Sequence, residues 1–258
     1  MDILKIESKC QLKTARIIMR REITKKAMTG ITIHSGETIE SLGHNQLKII
    51  QDKNQYRFST DSVILANFVN TKNREKILDL GTGCGIIPLL IYNPDKYNSI
   101  YAVEIQEKLA DIAQRNVILN HLENNIFIIK GDMKNLKKQF PGESFDVITV
   151  NPPYIPAGKG KTSANNEQLL ARHEINITFE KLLSISSYLL KKRGRFYLVY
   201  RADNLIPVIV ALRKFRLEPK ILKFVYTIKN NNARRFLLEA RKEGGPELKV
   251  PAPLFLKR

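Results

Sequence analysis

The sequence predicts an α/β fold: a seven-stranded, mostly parallel sheet with helices on both faces and a C-terminal antiparallel hairpin. Three observations predict it. Short runs rich in Ile, Leu and Val alternate with segments of helical period from Lys76 to Phe215, and parallel strands need such crossovers. A Gly-rich turn, Gly81-Thr82-Gly83-Cys84-Gly85, directly follows the first of those runs. The last two alternating runs, Lys220–Thr227 and Arg235–Arg241, flank Asn230-Asn231-Asn232, which is turn chemistry.

Residues 1–35 read as a basic, helical extension and 36–258 as the main domain. Residues 1–30 hold Lys5, Lys9, Lys13, Arg16, Arg20, Arg21, Lys25 and Lys26 against Asp2, Glu7 and Glu22. Their Ile and Leu residues are spaced loosely as on helices. Residues 31–55 read as irregular or as short hairpins, with a strand at Gln46–Gln51. Ser59, Thr60 or Asp61 then caps a helix over 62–70. Strands follow at Lys76–Leu80, Ser99–Ile105, Ile126–Lys130, Ser144–Val150 and Arg195–Tyr200. Helices fall between them at Cys84–Tyr92, Gln106–Asn120, Asp132–Gln139 and Thr178–Leu190, with Asn204–Phe215 after the last of these strands. The helix at 178–190 runs into Lys191-Lys192-Arg193-Gly194, a favourable C-terminus.

The chain has 258 residues, 43% of them hydrophobic, and a formal net charge of +18. That charge exceeds what solubility requires and points to a polyanionic partner, most simply nucleic acid. Cys10 and Cys84 have no CxxC partner, which argues against a disulfide framework or a zinc site. No metal is expected. No apolar run reaches the ~18 residues of a membrane span, and the N-terminal segment shows no signal-peptide core. A cytoplasmic monomer is the default expectation.

The segment Asn151-Pro152-Pro153-Tyr154 ends the strand Phe145-Asp146-Val147-Ile148-Thr149-Val150. Prolines cannot extend the ladder, so they form a stiff turn at the strand's carboxyl end, where open α/β sheets bind ligands. An amide, carbonyls with no N–H beside them and an aromatic ring can hold a planar NH2 group and present its nitrogen to an electrophile. An exocyclic aromatic amine is a poor nucleophile, because its lone pair is delocalised. Hydrogen bonds from it to the Asn151 side-chain oxygen and the Pro152 carbonyl favour a more tetrahedral nitrogen. Tyr154 is expected to stack on an extruded base.

Gly81, Gly83 and Gly85 allow a backbone turn close to a ligand. Asp79 opens that turn, and its carboxylate suits an ammonium better than a phosphate. Glu104, with Ile105 beside it, ends the next strand and can accept both ribose hydroxyls. Asp132 ends the third and can accept an adenine amino group, with the Met133 amide facing a ring nitrogen. Taken singly, each acid is as well explained by a helix cap or a solvated carboxylate. Together with the Asn151 motif they indicate S-adenosylmethionine as cofactor and methyl transfer to an exocyclic or amide nitrogen. Cytosine C5 chemistry is disfavoured, since no Pro-Cys nucleophile occurs.

These residues resemble the Rossmann-like class I methyltransferases of the amino-methylating kind. Gln51-Asp52-Lys53, Tyr56-Arg57-Phe58-Ser59, Asp61–Ala66, Ala171-Arg172-His173-Glu174 and Lys220–Val225 are similar to the bacterial tRNA1(Val) (adenine-N6)-methyltransferase family, over roughly residues 40–256. The resemblance implies a tRNA substrate, modified at N6 of the adenosine 3′ of the anticodon (position 37). It also implies that Asp61 and the helix after it cover the methionyl end of the cofactor; a capped helix start explains Asp61 equally well. Lys159, Lys161 and Arg172 border the loop after Tyr154, placed to meet phosphates. His173 is placed to hydrogen-bond within that loop and has no metal partner in the sequence; a purely structural role explains it at least as well.

Residues 213–241 carry nine cations, among them Arg213, Lys214, Lys223, Arg234 and Arg235, against Glu218 and Glu239. With the N-terminal extension they form the expected tRNA track. Methylation of a release-factor glutamine, or of rRNA or DNA amino groups, stays open as an alternative. So does a non-catalytic RNA-binding role.

Overall fold

The computed structural model describes residues 31–42, 47–52, 59–152, 177–227 and 232–256. The expectations for residues 1–30 and for Pro153, Tyr154, Lys159, Lys161, Arg172 and His173 lie outside the described residues.

A hairpin of β1 (Glu37–Ser41) and β2 (Lys48–Asp52) precedes α1 (Thr60–Phe68). The alternation then runs β3 (Lys76–Leu80), α2 (Ile86–Ile91), β4 (Ser99–Glu104), α3 (Glu107–Leu119), β5 (Ile126–Lys130), α4 (Leu136–Gln139) and β6 (Phe145–Val150). It continues through α5 (Phe179–Leu189), β7 (Leu190–Arg201), α6 (Leu205–Lys214), β8 (Leu217–Thr227), β9 (Arg235–Lys242) and β10 (Leu254–Leu256).

The main sheet has the order β10-β8-β9-β7-β6-β3-β4-β5. Strands β3 to β7 are parallel, and β9 inserts antiparallel between β7 and β8. This is the expected doubly wound sheet and closing hairpin, with one strand more than the seven expected. The extra strand, β10, pairs parallel with β8 through Leu254↔Val225 to Leu256↔Thr227. Three residues after Pro251 and Pro253 are too few to show a period of two, so no local pattern marks them as a strand.

Apolar residues cover both faces of the sheet. One core joins Ile64, Leu65, Ile87, Leu89 and Ile112 from α1, α2 and α3 to Ile77, Ile100, Val147 and Val199. The other joins Leu182, Leu183, Val208 and Leu212 from α5 and α6 to Leu78, Ile148, Leu198 and Leu238. Strands buried on both faces explain why these runs are continuously apolar.

Asn116 on α3 and Asn120 at its C-cap attach the β1–β2 hairpin. Asn116 Oδ1 accepts from the Ile50 N–H at 2.6 Å, and its Nδ2 donates to the carbonyls of Ile50 at 3.1 Å and Cys84 at 2.9 Å. One turn on, Asn120 pairs with the Lys48 N–H and C=O at 2.9 and 2.8 Å. The amides act as a missing neighbour strand for β2, meeting backbone groups that cannot be buried unpaired. Arg115 adds an ion pair to Glu37 at 2.6 Å.

One boundary departs from the sequence reading. Helix α5 stops at Leu189, and Lys191-Lys192-Arg193 belong to β7 rather than to a helix C-terminus. The pairing with β6 jumps from Phe145↔Leu190 to Val147↔Arg195, so these residues bulge from the ladder. Leu190 and Phe145 are both fully buried there, and Lys191 Nζ pairs with Asp146 at 2.8 Å. Burying Leu190 in the sheet outweighs one more turn of helix with an exposed basic end.

No helix among the described residues is long and apolar enough to cross a membrane.

Candidate active site

Parallel pairing brings the carboxyl ends of β3, β4, β5 and β6 to one edge of the sheet. Leu80, Gly81, Glu104, Met133, Asn151 and Pro152, from the ends of these strands, line a single pocket. Its other wall is Ile177, Thr178, Phe179, Leu182 and Tyr200. The sequence reading named all of the first group except Leu80 as site residues and missed the second. Thr178 was legible only as a helix start, and it does cap α5 by accepting from the Lys181 N–H.

The glycine turn departs sharply from β3. Gly81 has φ +73° and Gly85 φ +84°, a region L side chains avoid. A Cβ on Gly85 would also lie 3.3 Å from the Ala113 Cβ, so the turn is held close against α3.

Asp79 lies at the base of this turn, fully buried. The Thr149 hydroxyl, opposite it on β6, donates to Asp79 Oδ1 at 2.6 Å. Asp79 Oδ2 makes no hydrogen bond of ordinary geometry among the described residues, although the Thr82 hydroxyl lies near enough to help hold the carboxyl's pKa down. Burial pushes the Asp79 carboxyl up to about 6, against the hydroxyls of Thr149 and Thr82. A desolvated acceptor beneath a glycine turn fits the ammonium of an amino-acid-bearing ligand, which would give Oδ2 a full donor and favour the charged form.

Glu104 spans the turn. Its Oε2 accepts from the Gly83 N–H at 2.8 Å and its Oε1 from the Gln106 N–H at 2.9 Å. The carboxylate therefore braces the loop at the end of β4. Ile105, next to it, is half-buried. Asp132 accepts from the Lys134 N–H at 2.8 Å and pairs with Lys134 Nζ at 3.0 Å. It works as a cap at the rim, while Met133 reaches the pocket wall.

Asn151 Nδ2 donates to Ser62 Oγ at 2.8 Å and lies 3.4 Å from Ser59 Oγ. Ser59 is the N-cap of α1. The next acid on that turn, Asp61, accepts from Arg235 Nε at 2.9 Å. Burial pushes the Cys84 thiol up to about 12, which leaves too little thiolate for a nucleophile.

The basic cluster of the C-terminal third is divided by the sheet. Arg234 and Arg235 lie at the edge that carries Asn151, since Arg235 pairs with Arg201 at the end of β7. Arg213 and Lys214 end α6 just before Leu217, whose partner is Lys242 at the opposite edge. Arg213 pairs with half-buried Glu218 at 3.1 Å, and Lys214 reaches Glu180, on the first turn of α5, at 2.9 Å in an exposed pair. Lys223 is half-buried midway along β8. One continuous track across these five cations is therefore not what the topology builds. Charge counted along the chain does not reveal which end of the sheet each residue reaches. Among the described residues no group of three His, Cys, Asp or Glu is arranged to hold a metal.

A family model described as "methyltransferase small domain" matches residues 55–215. A tRNA1(Val) (adenine(37)-N6)-methyltransferase of Bacteroides thetaiotaomicron is 32% identical over 75% of this chain and 80% of its own length. One from Aliivibrio salmonicida is 30% identical over 70% and 75%, and one from Porphyromonas gingivalis 28% over 76% and 78%. Among solved structures, a predicted O-methyltransferase from Agrobacterium tumefaciens superposes with a TM-score of 0.60 at 20% identity, over 76% of this chain and 87% of that one. M. jannaschii TYW2 in complex with AdoMet does so with 0.55 at 15% identity, over 82% and 88%. At those identities the two structures share the fold alone.

Proposed function

The chain belongs to the tRNA1(Val) (adenine(37)-N6)-methyltransferase family, with a methyltransferase small domain, and from that premise we propose that it methylates N6 of adenosine 37, the nucleotide 3′ of the anticodon, in that tRNA. The observation that carries this reading is Asn151 and Pro152 on the wall of the pocket that Gly81, Glu104 and Met133 also line. A neutral amide at the carboxyl edge of the sheet stands beside a site suited to a cationic, ribose-bearing cofactor.

S-adenosylmethionine, when bound, supplies an electrophilic methyl group on a sulfonium. Asp79 and the turn Gly81–Gly85 would hold its methionyl end, Glu104 its ribose, and Met133 its adenine side. Asn151 Oδ1 and the Pro152 carbonyl would accept the two N–H groups of the target amine, turning its lone pair out of conjugation. Holding the amine in that pose supplies much of the rate, for which orientation can contribute roughly 7 kcal/mol or more. The methylated amine sheds its extra proton readily, so a neutral Asn151 suffices and no strong base is required.

The tRNA contacts would come from the basic segment 1–30, from Lys159, Lys161 and Arg172, and from Arg234 and Arg235 on the catalytic edge. The protein would act as a cytoplasmic monomer. The test is methyl transfer from labelled S-adenosylmethionine to bulk tRNA of a strain lacking the gene, followed by nucleoside analysis. Label in N6-methyladenosine confined to a valine tRNA is expected. Label absent from tRNA but present in rRNA, DNA or protein would replace the substrate and keep the amino-methylating chemistry.

A further inference from the structure

An asparagine side chain has two ends of nearly equal size and opposite polarity. Turning it over costs little packing, yet exchanges an acceptor for a donor. The chemistry proposed above tolerates only one of the two poses. With Oδ1 toward the pocket, Asn151 accepts from the target amine. With Nδ2 toward the pocket, donor faces donor and the amine is repelled.

We infer that the first turn of α1 fixes this choice, with Ser62 as the positioning residue for the Asn151 amide and Ser59 as its support. The inference rests on the adenine-N6 reading and deepens it. Ser62 Oγ accepts from Asn151 Nδ2 at 2.8 Å, and Ser62 is only 7% exposed. Ser59 Oγ lies 3.4 Å from the same nitrogen and accepts from the Ser62 N–H at 3.3 Å as the helix cap. In this pose both serine oxygens serve as acceptors on the α1 side of Asn151, and Ser59 Oγ is also held as an acceptor by the Ser62 N–H. Their positions are fixed in turn. Ser59 caps the helix, Val63, Ile64 and Leu65 are buried behind it, and Arg235 from β9 holds Asp61 at 2.9 Å. The turn is thereby tied to the end of β6 on one side and to the start of β9 on the other.

The experiment measures single-turnover methyl transfer to the tRNA, together with the affinity for S-adenosylhomocysteine. Ser62→Ala is expected to slow transfer about tenfold or more, one tenfold step being ~1.4 kcal/mol, with cofactor affinity within about twofold of wild type. Ser62→Thr, which keeps the hydroxyl, is expected to stay within about threefold of the wild-type rate. Asn151→Asp supplies a side chain alike at both ends, so adding Ser62→Ala to it should cost less than about threefold further. A wild-type rate in Ser62→Ala overturns the proposal. So does a rate loss matched by loss of cofactor affinity, which marks a purely structural residue, or a full loss persisting in the Asn151→Asp background. The Asn151 side-chain 15NH2 resonances give a readout free of turnover: slow hydrogen exchange in wild type, lost in Ser62→Ala. Protection unchanged by the substitution also overturns the proposal. If wild type transfers no methyl to tRNA while the protection behaves as expected, the substrate reading falls and the orientation stands.

Discussion

The Thr149 hydroxyl donates to Asp79 Oδ1 at 2.6 Å across the β3–β6 pair, and the second oxygen of that carboxylate makes no hydrogen bond of ordinary geometry among the described residues. A buried acid whose second oxygen is at best weakly bonded is a local cost to the fold, kept where a ligand can use it.

That cost depends on pH with a defined sign. The Asp79 pKa lies above its unfolded value, so its contribution to stability is fully present below about 4 and is lost as pH rises through about 6. Asp79→Asn keeps an oxygen for Thr149 and removes the charge. At pH 8 it should be more stable than wild type, by up to ~3 kcal/mol for a shift of roughly two pKa units, and unfold at a higher temperature. The gap should shrink as pH falls toward 4. The same variant should bind S-adenosylhomocysteine at least about tenfold more weakly at pH 8. Melting curves and calorimetric titrations across that range check both halves. A melting temperature below wild type at pH 8 would refute the stability half.

Asn151→Ala removes the acceptor assigned to the target amine and leaves the glycine turn and Glu104 in place. Methyl transfer should fall by about 10²-fold or more, with cofactor affinity near that of wild type. Most of the activity surviving would rule out the amide as the group that orients the amine.

Gly85→Ala places a Cβ at φ +84° and 3.3 Å from that of Ala113. The left-handed pose costs ~1 kcal/mol for any L side chain, and the crowding against α3 adds to it. Urea unfolding should show a loss of about 1–3 kcal/mol, accompanied by weaker cofactor binding.

Asn116→Ala leaves the Ile50 N–H and the Ile50 and Cys84 carbonyls without their side-chain partner in a fully buried place. Unmet buried groups cost ~1–3 kcal/mol each before relaxation. A loss of at least about 2 kcal/mol is expected by urea unfolding, with faster amide exchange in β2 and in the glycine turn. Exchange confined to β2 would mean that the Cys84 hydrogen bond does not couple the hairpin to the loop.

Deleting residues 1–30 removes eight cations. Affinity for tRNA should fall, and the log–log salt slope should flatten by ~0.9 for each phosphate that those cations neutralise. Cofactor affinity should not change. Unchanged tRNA binding at several salt concentrations would separate this segment from recognition.

The sequence by itself determined the order of strands and helices, the glycine turn, the acids at successive strand ends and the Asn151-Pro152 turn. Those features are local: a period of two or 3.6, a proline that ends a ladder and a glycine that permits positive φ are written within a few residues. Only the tertiary structure decided which side chains face one another. It set Arg235 on Asp61, 174 residues away, and Asn151 on Ser62, 89 residues away. It also divided the basic cluster between two ends of the sheet, raised the wall of Ile177 to Leu182 against the cofactor residues, and added β10. Strand order and crossover direction fix these pairings. Both follow from packing two apolar faces around a twisted sheet, which a residue's own neighbours in the chain do not encode.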